Sequence, residues 1–322
     1  MRAGSLLRRA VSSLVLVWLL LTVVFFLLHA APGKPSALLA TSGLSPEQRA
    51  GIERAYGLDR SLPEQYLRWL GAIVLDGNWG VSFTHRRPVL ELLVEAFPAT
   101  ALLSLSALLF HLLASVGGAL LAARRKGSWL DRGVQTVSLL GFSLPVFWLG
   151  LMAILVFASW WPLFPTGHLR SPGASGGGLS GLADVAWHLI LPSLVLGGAS
   201  CGGTLRLVRA SLIDALDQDY VRAARAKGVS QRRVLTVHAL RNALPGLAQV
   251  VGMALPALLN GSLVIEVIFS WPGVGRLLFE AIQSSDYPLV LAGTALSGVL
   301  VVLGSFLADL AHAWVDPRVR DA

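Results

Sequence analysis

The sequence predicts an all-α polytopic membrane protein with six transmembrane helices and a small α-rich region outside the membrane after the first helix. Three observations carry this expectation. Of 322 residues, 54% are hydrophobic and 14% charged, against about 25% charged in soluble domains, and mean hydropathy is +0.66. Six windows of at least 21 residues contain no Asp, Glu, Lys or Arg, and a spanning helix needs about 20 mostly apolar residues. The basic residues concentrate in alternate segments between these windows. Such hydrophobicity excludes a disordered chain, and a single cysteine, Cys201, excludes a disulfide scaffold. Helices follow because lipid supplies no partner for an open backbone group.

The windows are residues 10–33, 96–123, 133–169, 185–205, 242–265 and 287–308. The first follows Arg2, Arg8 and Arg9. Its apolar run of roughly 20 residues exceeds the 7–15 of a secretory signal, so an uncleaved anchor is expected. The third is too long for one helix, and Trp160-Trp161-Pro162 to Pro165 reads as an interfacial anchor followed by a break. The organisation expected is an anchor at 1–33, an extracytoplasmic region at 34–95, and a core at 96–322 containing five spans and a cytoplasmic loop at 206–245.

Orientation follows from Lys and Arg. With the N-terminus inside, segments 1–10, 123–133, 206–245 and 312–322 hold seventeen of the 26 basic residues. Seven of the other nine lie in 31–98, a segment long enough to translocate whatever its charge. Both termini are therefore expected in the cytoplasm. The net charge of +8 reflects this topology.

Region 31–98 balances seven bases with seven acids. Ser45-Pro46-Glu47 reads as a helix start, Gly57 as its end, and Leu62-Pro63 as the start of a second helix carrying Tyr66, Leu67, Trp69 and Leu70. The region could receive a delivered substrate or serve as a structural cap. Residues 171–183 are a flexible loop by composition.

Loop 206–245 holds eight bases. Asp219 is placed to begin a helix through Tyr220, Val221, Ala223, Ala224 and Lys227. Gly228 is a C-terminal stop, and Ser230 can cap a second helix running through Val234, Leu235 and Leu240 to Pro245. Adjacent alanines on a short helix permit close approach of another protein's groove. Ala224-x3-Gly228-x-Ser230 also resembles a helix-turn-helix pattern, but apolar spans begin just before Arg206 and just after Arg241, leaving no room to enter a major groove. No nucleic-acid partner is expected. Anionic lipid explains some of the charge, but not the alanine and glycine spacing.

Chemistry-bearing motifs are sparse. No Gly-x4-Gly-Lys-Ser/Thr loop is present; the only Gly-Lys is Gly33-Lys34. The window interiors hold no carboxylate of the kind ion-coupled carriers use. His111 reads as a packing or helix-bonding residue, Cys201 as a small packing residue, and the remaining histidines are scattered. No catalytic cluster, metal site or bound cofactor is expected. Gly117-Gly118, Gly197-Gly198 and Gly202-Gly203 permit close packing or bending, and Pro145, Pro192 and Pro256 free backbone groups in or near helices.

The stretch Asp219-Tyr220-Val221-Arg222-Ala223-Ala224-Arg225-Ala226-Lys227-Gly228-Val229-Ser230, continuing to His238-Ala239-Leu240-Arg241-Asn242-Ala243, resembles the E-A-A-x3-G loop of ATP-binding-cassette importer permeases in the dipeptide/oligopeptide/nickel branch. Phe269-Ser270-Trp271-Pro272-Gly273-Val274-Gly275-Arg276, Asp286-Tyr287-Pro288, Asp316-Pro317-Arg318, Tyr56-Gly57-Leu58-Asp59 and Pro98-Ala99-Thr100 extend the resemblance along essentially the whole chain. Arg222 stands at the loop's general glutamate position. Asp76-Gly77-Asn78-Trp79-Gly80 replaces a Gly-Asp-Leu-Gly pattern.

The resemblance implies a type I importer fold in a bacterial inner membrane. It implies a permease without catalysis of its own that moves peptides by alternating access. Nickel, glutathione or another small solute are the alternatives within the class, and a secondary carrier lies outside it. The implied coupling residues are Tyr220, Arg222, Ala223, Ala224, Lys227, Gly228, Arg241 and Asn242. The implied partners are a second homologous permease subunit, two cytoplasmic ATPase subunits carrying ATP and Mg, an extracytoplasmic substrate-binding protein and membrane lipid.

Overall fold

A computed structural model describes residues 3–30, 45, 47, 60–173, 178–241, 247 and 262–315. Ten labelled helices account for most of them: α1 (Ala3–Ala30), α2 (Leu62–Asp76), α3 (Val89–Arg124), α4 (Trp129–Ser143), α5 (Val146–Ile154), α6 (Leu179–Leu216), α7 (Asp219–Ala226), α8 (Gln231–Arg233), α9 (Val274–Gln283) and α10 (Tyr287–Val315). Residues 262–268 are also helical. Two π-helical turns, Leu155–Trp160 and Val234–Ala239, extend α5 and α8.

Stretches of α1, α3, α6 and α10 are long and apolar enough to cross a membrane, and the α4–α5 pair makes a fifth if its two limbs count as one span. That pair corrects the third window. The chain bends by 104° between the limbs because Leu144 leaves the helix with φ −87° and ψ 140° ahead of Pro145. Proline disfavours the helical region for the residue before it. The window at 242–265, with Pro256, lies largely outside the described residues, as do Pro46, Gly57 and most of the predicted helix after Ser45. The loop assigned to 171–183 is shorter than expected, since α6 begins at Leu179. Its start is held where the Ser171 backbone N–H and hydroxyl donate to Asp184, at 2.9 and 2.7 Å.

Two compact units divide the chain. The smaller comprises Ala3–Pro98 and Val274–Val299. Within it, Phe25 of α1 packs with Tyr66 of α2 and Leu291 of α10, and the Tyr66 hydroxyl bonds Thr22 at 2.7 Å. Gly77 ends α2 in the left-handed region, φ 61°, and Asn78 accepts from the Gly80 N–H at 2.9 Å. Asp286 is fully buried. Its carboxylate accepts from the Ser82 hydroxyl and the Thr84 N–H and faces the Leu289 N–H in the first turn of α10. The Asp-Tyr-Pro motif is thus a helix cap.

The larger unit comprises, among the described residues, those of Ala99–Gly273 and the end of α10 from Leu300. One cluster joins Leu103 and Ala107 of α3, Ala153 of α5, Leu191, Val195 and Leu196 of α6, and Ile265, Phe269 and Trp271. Trp271 donates its indole N–H to the Ala99 carbonyl at 2.8 Å, and Thr100 donates to the buried Glu266 carboxylate at 2.8 Å. The Phe-Ser-Trp-Pro-Gly motif therefore forms a packed turn.

Helix α6 is held by close backbone approach. A β-carbon at Gly197 would strike the Ala107 carbonyl, and one at Gly202 the Ser138 carbonyl. The neighbouring Gly198 and Gly203 face open space. The glycine pairs thus divide into one packing member and one free member. His111 of α3 is buried and bonds α6 through both ring nitrogens, to Ser200 and Thr204, each at 2.9 Å. It is a helix-bonding residue.

These contacts predict opposite signs at adjacent positions. Gly202→Ala should destabilise the protein by about 1–3 kcal/mol through overpacking. Gly203→Ala should stabilise it by up to about 1 kcal/mol through helix propensity. Thermal unfolding in detergent should show the two midpoints on opposite sides of wild type.

Candidate coupling site

Within loop 206–245, the described residues 217–241 fold into a helical hairpin that continues from α6. Helix α6 does not stop at the end of its apolar window but runs on to Leu216, carrying Arg206 and Arg209 with it. Asp217 and Gln218 turn the chain, and α7 begins at Asp219. Asp219 does not cap the helix; it lies in the first turn and pairs with Arg222 at 3.2 Å. Both are well exposed, so this pair contributes at most about 1 kcal/mol.

The turn after α7 rests on Gly228, which has φ +79°. The Val229 N–H donates to the Ala224 carbonyl at 3.2 Å, and the Gly228 N–H to the Arg225 carbonyl at 2.9 Å. These two bonds form a Schellman motif, which satisfies carbonyls the helix leaves open and places its left-handed residue at Gly228. A β-carbon at Gly228 would meet nothing within 4 Å, so the demand for glycine comes from the backbone, not from crowding. Ser230 leaves the helical region with ψ 147° and starts α8, but its side chain makes no cap bond.

The hairpin has its own small core. Val221 and Val234 are fully buried, and Ala224 packs with them, flanked by Leu216 and Val229. Each buried valine contributes roughly 1.5–3 kcal/mol relative to exposure. The second arm continues inward. Leu235 and Ala239 join Leu205, Val208, Leu212 and Ala215 of α6 and Ala119 and Ala123 of α3. The hairpin is therefore clamped to α6 by two adjoining apolar clusters.

This packing separates the two alanines. Ala224 faces inward and is buried, whereas Ala223 is exposed. Tyr220, three residues before Ala223, and Lys227, four residues after it, are also exposed and share its helix face. The result is a shallow step with a methyl group at its floor, an aromatic ring on one side and an ammonium on the other. Arg222 and Arg225 flank the step and are exposed. Arg241 is exposed near the far end of the second arm, about 15 Å along a helix from the turn. Asn242 lies outside the described residues. The structure brings Tyr220, Ala223 and Lys227 onto one face, makes Gly228 the pivot and gives Ala224 to the hairpin core. Sequence places Val221 and Val234 on the two arms without giving them a role, although Val221 precedes Ala224 by three residues and so marks the buried face.

Gly228→Val is expected to loosen the hairpin by about 1–2 kcal/mol, the cost of a side chain in the left-handed region, with Gly228→Asn costing less. Hydrogen exchange at the 221–229 amides should be about tenfold faster in the valine variant, with membrane insertion unchanged.

Comparison with known proteins agrees with this architecture. Residues 114–321 match the family described as binding-protein-dependent transport system inner membrane component, and residues 3–106 match the N-terminal model of the same kind of protein. The oligopeptide transport system permease protein AppB of Bacillus subtilis is 37% identical over 319 residues, covering 99% of both chains. The dipeptide transport system permease protein DppB of Escherichia coli K12 is 37% identical, covering 92% of this chain and 93% of that one. The di/tripeptide permease DppB of Pseudomonas aeruginosa is 38% identical over 313 residues, 92% of this chain and 93% of its own. A solved chain of the MetNI methionine ABC transporter, inward facing, is 20% identical with a TM-score of 0.53, covering 70% of this chain and 97% of that one; it supports the fold. The chain belongs to the family of inner-membrane components of binding-protein-dependent transport systems.

Proposed function

We propose that this chain is the transmembrane permease subunit of an ATP-driven importer and forms half of the translocation pathway for di- or oligopeptides. The observation that carries this reading is similarity along nearly the whole chain to relatives named as oligopeptide and dipeptide permeases. The working assembly adds a second homologous permease subunit, two cytoplasmic ATPase subunits that bind ATP and Mg, and an extracytoplasmic protein that delivers the substrate. This chain binds no cofactor and performs no chemistry.

The topology proposed has six spans, with window 242–265 as the fifth, both termini in the cytoplasm and region 34–95 outside. The distribution of Lys and Arg supports it. The hairpin is then cytoplasmic and is the part that meets the ATPase. Its exposed Ala223 step suits insertion into a cleft, because a methyl floor lets the helix backbone approach closely. Tyr220, Lys227, Arg222 and Arg241 supply the polar edge.

Alternating access requires that one facing of the pathway be favoured when ATP is bound and the other when it is not. A ligand shifts such an equilibrium only by its differential affinity for the two states. The nucleotide acts on the ATPase pair, so the permease needs a rigid piece that follows the ATPase and helices that yield. The hairpin and α6 have the first character. The 104° bend at Leu144-Pro145 and the π turn at Leu155–Trp160 have the second.

Proteoliposomes holding this chain with its co-encoded permease, ATPases and binding protein should accumulate labelled dipeptide only when ATP reaches the ATPase side. Ala223→Trp should cut that uptake at least about tenfold, the size of effect expected when a 1.4 kcal/mol contact is lost, while leaving the hairpin folded. ATP-driven accumulation of nickel ion without peptide would overturn the cargo, and uptake by the chain without ATPases would overturn the class.

A further inference from the structure

Helices α4 and α6 pack antiparallel in a regular register. Ser138 lies against Gly202, Gly141 is nearest the Gly198 carbonyl, and Asp131 lies against Arg209. The last of these contacts differs in kind. Arg209 donates Nε to one Asp131 oxygen at 2.7 Å and Nη2 to the other at 2.6 Å. The Asp131 side chain is 2% exposed and the Arg209 side chain 18%. Asp131 also accepts from the Gly127 N–H at 2.8 Å and the Gln135 amide at 2.9 Å. Every oxygen of this buried acid is therefore engaged, and the guanidinium is fixed as a fork.

Stability alone is a poor account of such a pair. Exchanging a buried ion pair for apolar side chains of similar volume is often neutral or stabilising. What the pair supplies is direction. Two parallel bonds resist both sliding and rotation, whereas a glycine against a carbonyl resists approach but permits sliding along the helix axis. The location is also specific. Arg209 lies one turn before Leu212, which belongs to the cluster that holds Leu235 and Ala239 of the hairpin. Asp131 lies in the first turn of α4, the first limb of the bent pair.

We propose that the Arg209–Asp131 pair is the strut that carries displacement of the coupling hairpin from α6 into the bent α4–α5 limb. This assignment rests on the transport reading above. Arg209 and Asp131 are then positioning residues for transport, placed on α6 and α4 and not on the exposed Ala223 face of the hairpin. Loss of the strut should leave the hairpin docked and ATP hydrolysis running, while fewer conformational cycles of the pathway accompany each hydrolysis.

The test uses the full complex in proteoliposomes with Asp131→Asn, which keeps the size and removes the charge, and Arg209→Lys, which keeps the charge and removes the fork. Peptide imported and ATP hydrolysed are measured on the same vesicles. Both variants should assemble, hydrolyse ATP at a rate within about twofold of wild type, and import about tenfold less peptide per ATP, within the range of mutational changes in coupling between distant sites. Peptide per ATP at the wild-type value in both variants would overturn the strut. So would loss of assembly in both, because the pair would then be a determinant of folding. Absence of ATP-driven uptake in wild type would instead overturn the transport reading beneath it.

Discussion

The structure of the larger unit depends on the continuity of α6. A bilayer core is about 30 Å thick, and a helix of 38 residues is about 57 Å long. One unbroken rod therefore reaches from the glycines that meet α3 and α4 to the hairpin beyond its end. Pro192 sits inside the helix without ending it. The side chains along α6 change character with position. Gly197 and Gly202 admit neighbouring backbones, Ser200 and Thr204 bond His111, Arg209 clamps Asp131, and Leu212 and Ala215 seat the hairpin.

Each of these contacts suits its surroundings. In an apolar solvent, burial of apolar surface gives little drive for helices to associate, so small residues and hydrogen bonds hold them together. Beyond the apolar window that drive returns. The hairpin is accordingly held by buried valine, leucine and alanine. The Schellman turn at Gly228 fixes the angle between its arms with two backbone bonds. Packing and turn together brace the hairpin against the end of α6, which is the property the proposed coupling role requires.

Much of this was legible in sequence, for identifiable reasons. Windows without charge mark apolar helices because a charged side chain at the bilayer centre is costly. Gly228 announced a helix end because few residues accept the left-handed region. Other features were hidden. Pro145 was visible, but a proline in an apolar window either kinks a helix or ends it, and packing decides which. Asp131 and Arg209 are 78 residues apart, and no spacing rule joins them. The different fates of Ala223 and Ala224 depended on which face α6 and Val234 cover. The members of each glycine pair are chemically identical, and only the neighbouring atoms distinguish them: a carbonyl at Gly197 and Gly202, the Leu205 side chain at Gly118.

The central claim is that the hairpin face around Ala223 is the surface that engages the ATPase. Site-specific cross-linking tests it most directly. Ala223→Cys and Ala224→Cys, each in a Cys201→Ser background, are compared in inverted vesicles containing the assembled complex. The account predicts a cross-link from position 223 to the ATPase whose yield changes on adding ATP, and none from position 224. A cross-link from position 224 but not 223, or none from either while uptake remains ATP-driven, would contradict it.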